Sequence, residues 1–258
     1  MINLIKIKKR MKKFTNALML GAISIATIVA MSSCGGDKEP EMAINGINGD
    51  LHFADTILLS TTGAPEGAVV TYESSNEWVA VISGDTLFGN HIGDAIITAT
   101  AGDKKATYNV KVAAKYTMAT EPLWDWNCTP AELKAKKGEP AGETESSVFY
   151  LQNAEKGIYE AYVFRTEKLI ASALQIQITS KEMINEYLYF ALERYQAAGM
   201  SQDKSTVYFL NAPTTEEATM VLLVYQQQNS LILEYQPNSA KSNAPALMPA
   251  KKGFSLFF

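Results

Sequence analysis

The chain has only two cysteines and two histidines in 258 residues. Two cysteines cannot build the disulfide framework that staples small secreted domains. His52 and His91 stand well apart, so no metal-ligand spacing arises. No metal site and no cofactor is therefore expected. Nucleophilic catalysis needs a Ser or Cys beside a positioned base, and neither histidine neighbours Cys128 in sequence. No phosphate-cradling Gly-rich loop or other short mechanistic motif is present. The acidic pairs Glu143/Glu145 and Glu216/Glu217 read as solvated loop charges. The expectation is a protein without catalytic residues, not an enzyme. Basic patches are also scarce. The net charge is −4, and an acidic, evenly mixed surface excludes nucleic acid, whose backbone calls for clustered Lys and Arg. The apolar run at 18–31 is shorter than the roughly 20 residues a membrane span needs.

That run is flanked in a telling way. Six basic residues precede it (Lys6, Lys8, Lys9, Arg10, Lys12 and Lys13), and Ser32-Ser33-Cys34-Gly35-Gly36 follows it. A positive end, a short apolar middle and small residues at a cut form the three-part layout of a secretory signal peptide. Translation from Met1 or from Met11 would each supply a normal opening. Cysteine directly after the small residues resembles a bacterial lipobox, although Ser-Ser is looser than the usual Leu-Ala-Gly type. The resemblance implies cleavage before Cys34, lipid on that residue, and attachment to a membrane through the acyl chains. Stable anchoring needs more than one chain, which triacylated lipoproteins have. Removing 1–33 takes away six basic and no acidic residues, which moves the balance from −4 to −10. With Cys34 lipidated, Cys128 has no partner and reads as a small buried apolar residue. The remaining 225 residues suffice for two modest domains.

Residues 34–43 form an acidic tether. Asp37, Glu39 and Glu41 resemble the surface-export signal of Bacteroidetes lipoproteins, and read equally well as a plain linker. The expected location is the cell envelope, lipid-anchored in the outer membrane, with surface and periplasmic orientation both open.

From 44 to 113 apolar residues recur at every second position: Val79 and Val81; Ala95, Ile97 and Ala99; Tyr108, Val110 and Val112. Turn signals such as Ser83-Gly84-Asp85 and Gly102-Asp103 punctuate them. Short alternating strands of this kind predict a β-sandwich. Tyr72-Glu73-Ser74-Ser75-Asn76, then Val79-Ala80-Val81, Gly93-Asp94-Ala95-Ile96-Ile97-Thr98-Ala99 and Val110-Lys111-Val112 together resemble the bacterial immunoglobulin-like domain, group 2. Tyr72 departs from the family's usual Trp, and Trp78 stands where a small or polar residue is usual. The resemblance implies a spacer or binding module without a conserved active site, and fold analogy supplies no ligand.

Residues 116–237 read as an α+β domain with an internal repeat. Thr129-Pro130-Ala131-Glu132 and Thr179-Ser180-Lys181-Glu182 both read as capping boxes, with Pro130 at the first helical position. The first helix should end near Gly138. The second should run to about residue 198 and stop at Gly199, with Ile184, Tyr187, Leu188, Ala191 and Tyr195 on its apolar face. Three strands should follow each helix: 148–152, 158–166 and 169–179, then 206–211, 219–227 and 231–236. Gln228-Asn229-Ser230 is a hairpin turn. The expected fold class is mostly β with α+β: an Ig-like sandwich, then an antiparallel sheet with two helices on one face in the order αβββαβββ. Residues 238–258 form a Pro-containing tail with an apolar end, expected to pack on the domain surface or meet a partner.

Trp124 and Trp126 lie two apart, so an extended chain points both to one side. They are candidate ligand contacts, with Trp78 as a third; the plainer reading has them plug the seam between linker and domain. The Gln-rich stretch Tyr225-Gln226-Gln227-Gln228 reads as a water-facing row that could also meet a glycan. Asp55-Thr56-Ile57 and Asp85-Thr86-Leu87 resemble the O-glycosylation sites of Bacteroidetes, which marks Thr56 and Thr86. The function expected is a non-catalytic binding or adhesion lipoprotein for a protein or glycan partner. The alternative is a structural or assembly lipoprotein contacting other envelope proteins.

Overall fold

Strand-forming patterns dominate, and the fold follows them. The computed structural model describes residues 40–239, all of which fall in one compact unit. Residues 1–39 and 240–258, which include the expected signal peptide, Cys34, most of the expected tether and most of the tail, lie outside the described residues. The protein is mostly β, with several sheets and two helices among the described residues.

The first half, residues 43–113, holds nine strands: β1 (Ala43–Asn45), β2 (Leu51–His52), β3 (Thr56–Leu58), β4 (Ser60–Thr62), β5 (Val70–Ser74), β6 (Ala80–Ser83), β7 (Thr86–Gly89), β8 (Gly93–Ala101) and β9 (Lys104–Ala113). They form sheets of order β1-β4, β2-β9-β8-β5 and β3-β7-β6. The alternation read from sequence sets which side is dry. Ala95, Ile97, Ala99, Val110 and Val112 are buried with Leu51, Leu59, Val79 and Leu87. Tyr108 keeps the inward register but stays 36% exposed. Gly89 is needed for space: a Cβ there would stand 2.1 Å from the His52 carbonyl oxygen, where β2 and β7 run close together.

The second half has helix α1 (Pro130–Lys137), strands β10 (Gly142–Glu143), β11 (Ser147–Asn153), β12 (Ile158–Arg165) and β13 (Lys168–Gln177), helix α2 (Lys181–Leu192), then β14 (Gln196–Met200), β15 (Thr206–Leu210), β16 (Met220–Gln227) and β17 (Ser230–Pro237). All eight strands join one sheet in the order β10-β11-β12-β13-β17-β16-β15-β14, and every pairing is antiparallel. The two sets of four are mirror-ordered about the β13–β17 pair, so the internal repeat has a pseudo-twofold layout. Gln227 faces Ser230 across the two-residue turn Gln228-Asn229, and Gln228 takes the positive φ of 51° that the turn requires.

Three expectations for this half need correction. The sheet has eight strands, because β10 and β14 add one to each set of three. The second helix ends at Leu192, not at residue 198. Tyr195 N–H still bonds Ala191, but residues 196–200 pair along β15 as an edge strand with a bulge at Ala198. Cross-strand pairing there outweighs the helix preference of Gln-Ala-Ala. The second cap is Ser180, whose hydroxyl accepts from Met183 N–H at 3.2 Å. Ile178 N–H bonds Asn229 at the sheet margin, so Thr179 stays extended and the cap moves one residue on. Only Thr129 forms a full capping box, reciprocated by Glu132.

Both helices lie on one face. Leu133 of α1 packs with Val148, Tyr150, Tyr162 and Phe164, while Tyr195 just beyond α2 meets Tyr235 edge to face. The segment 114–128 crosses that same face. Gln152 holds it with bonds to both the N–H and the carbonyl of Thr120, and Tyr162 accepts from Leu123 N–H.

Candidate functional site

The segment 121–125 and the end of α1 enclose an open cleft of about 550 Å³. The capping box and Pro130 fix where α1 begins, and that start aims Lys136 and Lys137 at the cleft. Asp125 meets Lys136 at 3.6 Å. Its carboxylate also accepts from Asn127 N–H, which turns the chain at Trp126. Trp124 is 36% exposed. Trp126 is half-buried against the cluster of Cys128, Leu133 and Val148. Their rings lie 6.4 Å apart, tilted by 39°. One tryptophan thus anchors the segment while its neighbour presents an indole to the cleft.

Beneath them lies a saturated polar layer. Glu160, 4% exposed, takes Lys137 Nζ at 2.7 Å, Gln152 Nε2 at 2.8 Å and the Tyr162 hydroxyl. Burial, reinforced by the Glu160 carboxylate, pushes the Tyr162 hydroxyl well above its ordinary value. Lys137 also sits 5.5 Å above the Tyr150 ring. Glu121 accepts from the hydroxyls of Tyr195 and Tyr235 and lies 3.6 Å from Arg194. These charges are paired and hold the floor of the cleft. The cleft mouth offers an aromatic face and one cation–anion pair, a set suited to binding an uncharged or amphipathic group.

The other sequence candidates fall elsewhere. Trp78 does not join Trp124 and Trp126. Its ring stacks on His91 at 3.9 Å, and its carbonyl accepts from His91 Nδ1 at 2.7 Å. His91 is 3% exposed, and burial lowers its pKa against opposing bonds to the Trp78 and Tyr195 carbonyls. Cys128 is buried, and burial pushes its thiol up, the reverse of what a nucleophile needs. Thr56 is exposed and Thr86 half-buried. Both stand on one face of the small sheet, Thr86 opposite Leu58 and Thr56 opposite Phe88. Gln226, Gln227 and Gln228 are exposed at the β16–β17 hairpin. Among the described residues no group of His, Cys, Asp and Glu could hold a metal ion, and no helix is long and apolar enough to cross a membrane.

The sequence reading did not single out Glu193, the residue that ties the connecting segment to the second half and meets the first half through its backbone. It is fully buried. Its carboxylate accepts from Lys115 N–H at 3.0 Å and Tyr116 N–H at 3.1 Å and meets Arg194 at 2.5 Å. Its carbonyl accepts from Ile92 N–H of the first half. An adjacent Glu-Arg pair after an apolar helix face was the available signal.

No protein-family model matches the sequence, and no curated protein matches it. Two solved structures are similar to it at low level. One is domains 5–6 of the S-layer protein SbsC, at 12% identity over 79% of this chain and 86% of that one, with a TM-score of 0.23. The other is domains 4–9 of surface layer protein SbsC, at 13% identity over 76% of this chain and 31% of that one, with a TM-score of 0.23. At that score neither carries an argument about fold or function.

Proposed function

We propose that this chain is a cell-envelope lipoprotein, anchored through Cys34, that works as a non-catalytic binding module for a protein or glycan. Residues 44–113 are read as a group 2 bacterial Ig-like spacer, and residues 116–237 as the recognition domain. The observation that carries the binding reading is the Trp124 indole, 36% exposed at an open cleft. A large aromatic displayed beside a braced neighbour is the usual form of a contact hot spot or sugar platform. The paired charges at the cleft mouth favour neutral sugar rings or an aromatic peptide side chain over a strongly charged partner.

Binding is tested on a glycan and peptide array with the full chain and with Trp124→Ala. The reading expects a ligand whose signal falls at least tenfold in the variant while thermal stability is unchanged. A ligand bound equally by both would remove the cleft from consideration. Attachment is tested by mass spectrometry of the native amino terminus, with an acylated Cys34 expected. Protease treatment of intact cells then separates surface display from the periplasmic side, and full protection would favour the assembly role.

A further inference from the structure

The Trp124 cleft carries charges of both signs, and each is already answered. Glu121 lies 3.6 Å from Arg194, Lys137 lies 2.7 Å from Glu160, and Lys136 lies 3.6 Å from Asp125. A charged ligand finds no uncompensated partner here and must break one pair to gain another. The three pairs differ in how open they are to water. Glu160 is buried and also bonded by Gln152 and Tyr162. Glu121 is engaged by the hydroxyls of Tyr195 and Tyr235. The Lys136 and Asp125 side chains are 52% and 48% exposed, so theirs is the accessible pair. At 3.6 Å they attract one another without a full hydrogen bond. One Asp125 oxygen takes Asn127 N–H at 3.2 Å, which fixes the carboxylate, and the other faces Lys136. A carboxylate has about four acceptor sites and an ammonium three donors. Both groups therefore have capacity for a further bond without parting.

The Trp124 indole lines the same cleft, 36% exposed. A fitting ligand must offer that ring an apolar face. At its rim it must carry uncharged groups that both donate and accept. An aromatic peptide side chain meets only the first demand. It covers the ring but strips water from Asp125 and Lys136 without replacing the lost bonds, which is costly. A pyranose meets both demands. Its ring hydrogens give an apolar face to the indole, and each hydroxyl donates and accepts. Of two neighbouring hydroxyls, one donates to the Asp125 oxygen that faces Lys136, and the next accepts from Lys136 Nζ. The cleft volume of about 550 Å³ lies within the range of small-molecule sites. We propose that the cleft binds a neutral glycan, with Trp124 as the stacking platform and the Asp125–Lys136 pair reading two adjacent ring hydroxyls. This rests on the binding reading above and selects one of its two partner classes.

The test follows the Trp124 indole N–H by NMR in the full chain, with Trp124→Phe used to assign the signal. The probes are neutral hexasaccharides of glucose, mannose, xylose and galactose, an acidic hexagalacturonate, and a pool of peptides rich in Phe and Tyr. At least one neutral hexasaccharide should shift the signal saturably and bind more tightly than the hexagalacturonate. Lys136→Met keeps the apolar stem and should weaken that binding about tenfold, the scale of a lost charge-assisted bond. Asp125→Asn keeps an oxygen for Asn127 N–H, and with it the turn, and should weaken binding about threefold. A deoxy sugar lacking the hydroxyl that Lys136 reads should bind more weakly to the wild type, with no further loss in Lys136→Met. Neutral-sugar binding that neither variant changes would overturn the proposal, and so would tighter binding of the hexagalacturonate. Peptides that shift the Trp124 signal where no neutral sugar does would overturn the glycan assignment and leave the cleft a binding site. A signal that responds to no probe would count against the glycan and against the broader binding reading together.

Discussion

At the scale of single residues, His91 and Gly89 give the sharpest expectations. His91 is buried and its pKa is lowered. The unfolded chain takes up the proton near the ordinary histidine value while the folded protein resists it. Stability therefore falls as pH drops from that value toward the lowered one. Urea melts of the wild type and His91→Asn across pH 7 to 5 should show a shallower pH slope in the variant. An equal slope in both would assign the effect to other groups. Gly89→Ala places a methyl against backbone rather than a flexible side-chain end. It should cost about 1–3 kcal/mol, the range for forced overpacking, read as a lower denaturation midpoint. Neither role was visible in sequence. Gly89 sits in a Gly-Asn pair that reads as an ordinary turn, and the partner that presses on it, His52, lies 37 positions away. Trp78 was noticed as an unusual residue, but its engagement with His91 depends on a loop closure that no local pattern encodes.

At the scale of elements, the caps separate what local chemistry decides from what pairing decides. Thr129→Ala should cost about 1 kcal/mol, and so should Ser180→Ala, by the usual loss of an N-cap. Thr179→Ala should cost clearly less, which calorimetry on the three variants would resolve. Leu133→Ala, at the one fully buried position of α1, should cost about 2–5 kcal/mol and loosen the cleft wall that Lys136 and Lys137 form. Six of the strands in the second half were legible to within two residues, because their alternation and flanking turns are local properties. The edge strands β10 and β14 were not. β10 is two residues long, and residues 196–200 carry a composition that favours helix until the neighbouring strand offers its hydrogen bonds. The cleft was legible in part: Trp124 and Trp126 stood out by spacing, whereas the contribution of α1 depends on how that helix docks.

At the scale of the whole molecule, one residue meets both the first half and the connecting segment: Glu193 takes Ile92 N–H on its carbonyl and the N–H groups of Lys115 and Tyr116 on its carboxylate. Glu193→Ala would leave the buried N–H groups of Lys115 and Tyr116 without their acceptor and take from Arg194 the nearer of its two carboxylate partners, a loss of about 3–5 kcal/mol for a broken buried pair. The wild-type residues 40–239 should unfold in a single calorimetric transition. The variant should separate into two, with the first half melting apart from the second. A single transition retained at the lower temperature would mean that the bonds of His91 and Ile92 to the backbone of Tyr195 and Glu193 suffice to hold the halves together. Composition and pattern announced two domains, but a contact between residues 115 and 193 has no signature in a single chain.

The mirror-ordered sheet carries one more implication. Its innermost pairing, β13 against β17, is the line where one copy of the repeat ends and the other begins. Either copy expressed alone would leave that strand as an open, strongly apolar border, the kind of edge that recruits a second molecule. An isolated copy of the repeat should therefore be found as a back-to-back pair, rebuilding from two short polypeptides the continuous surface that this protein makes from one.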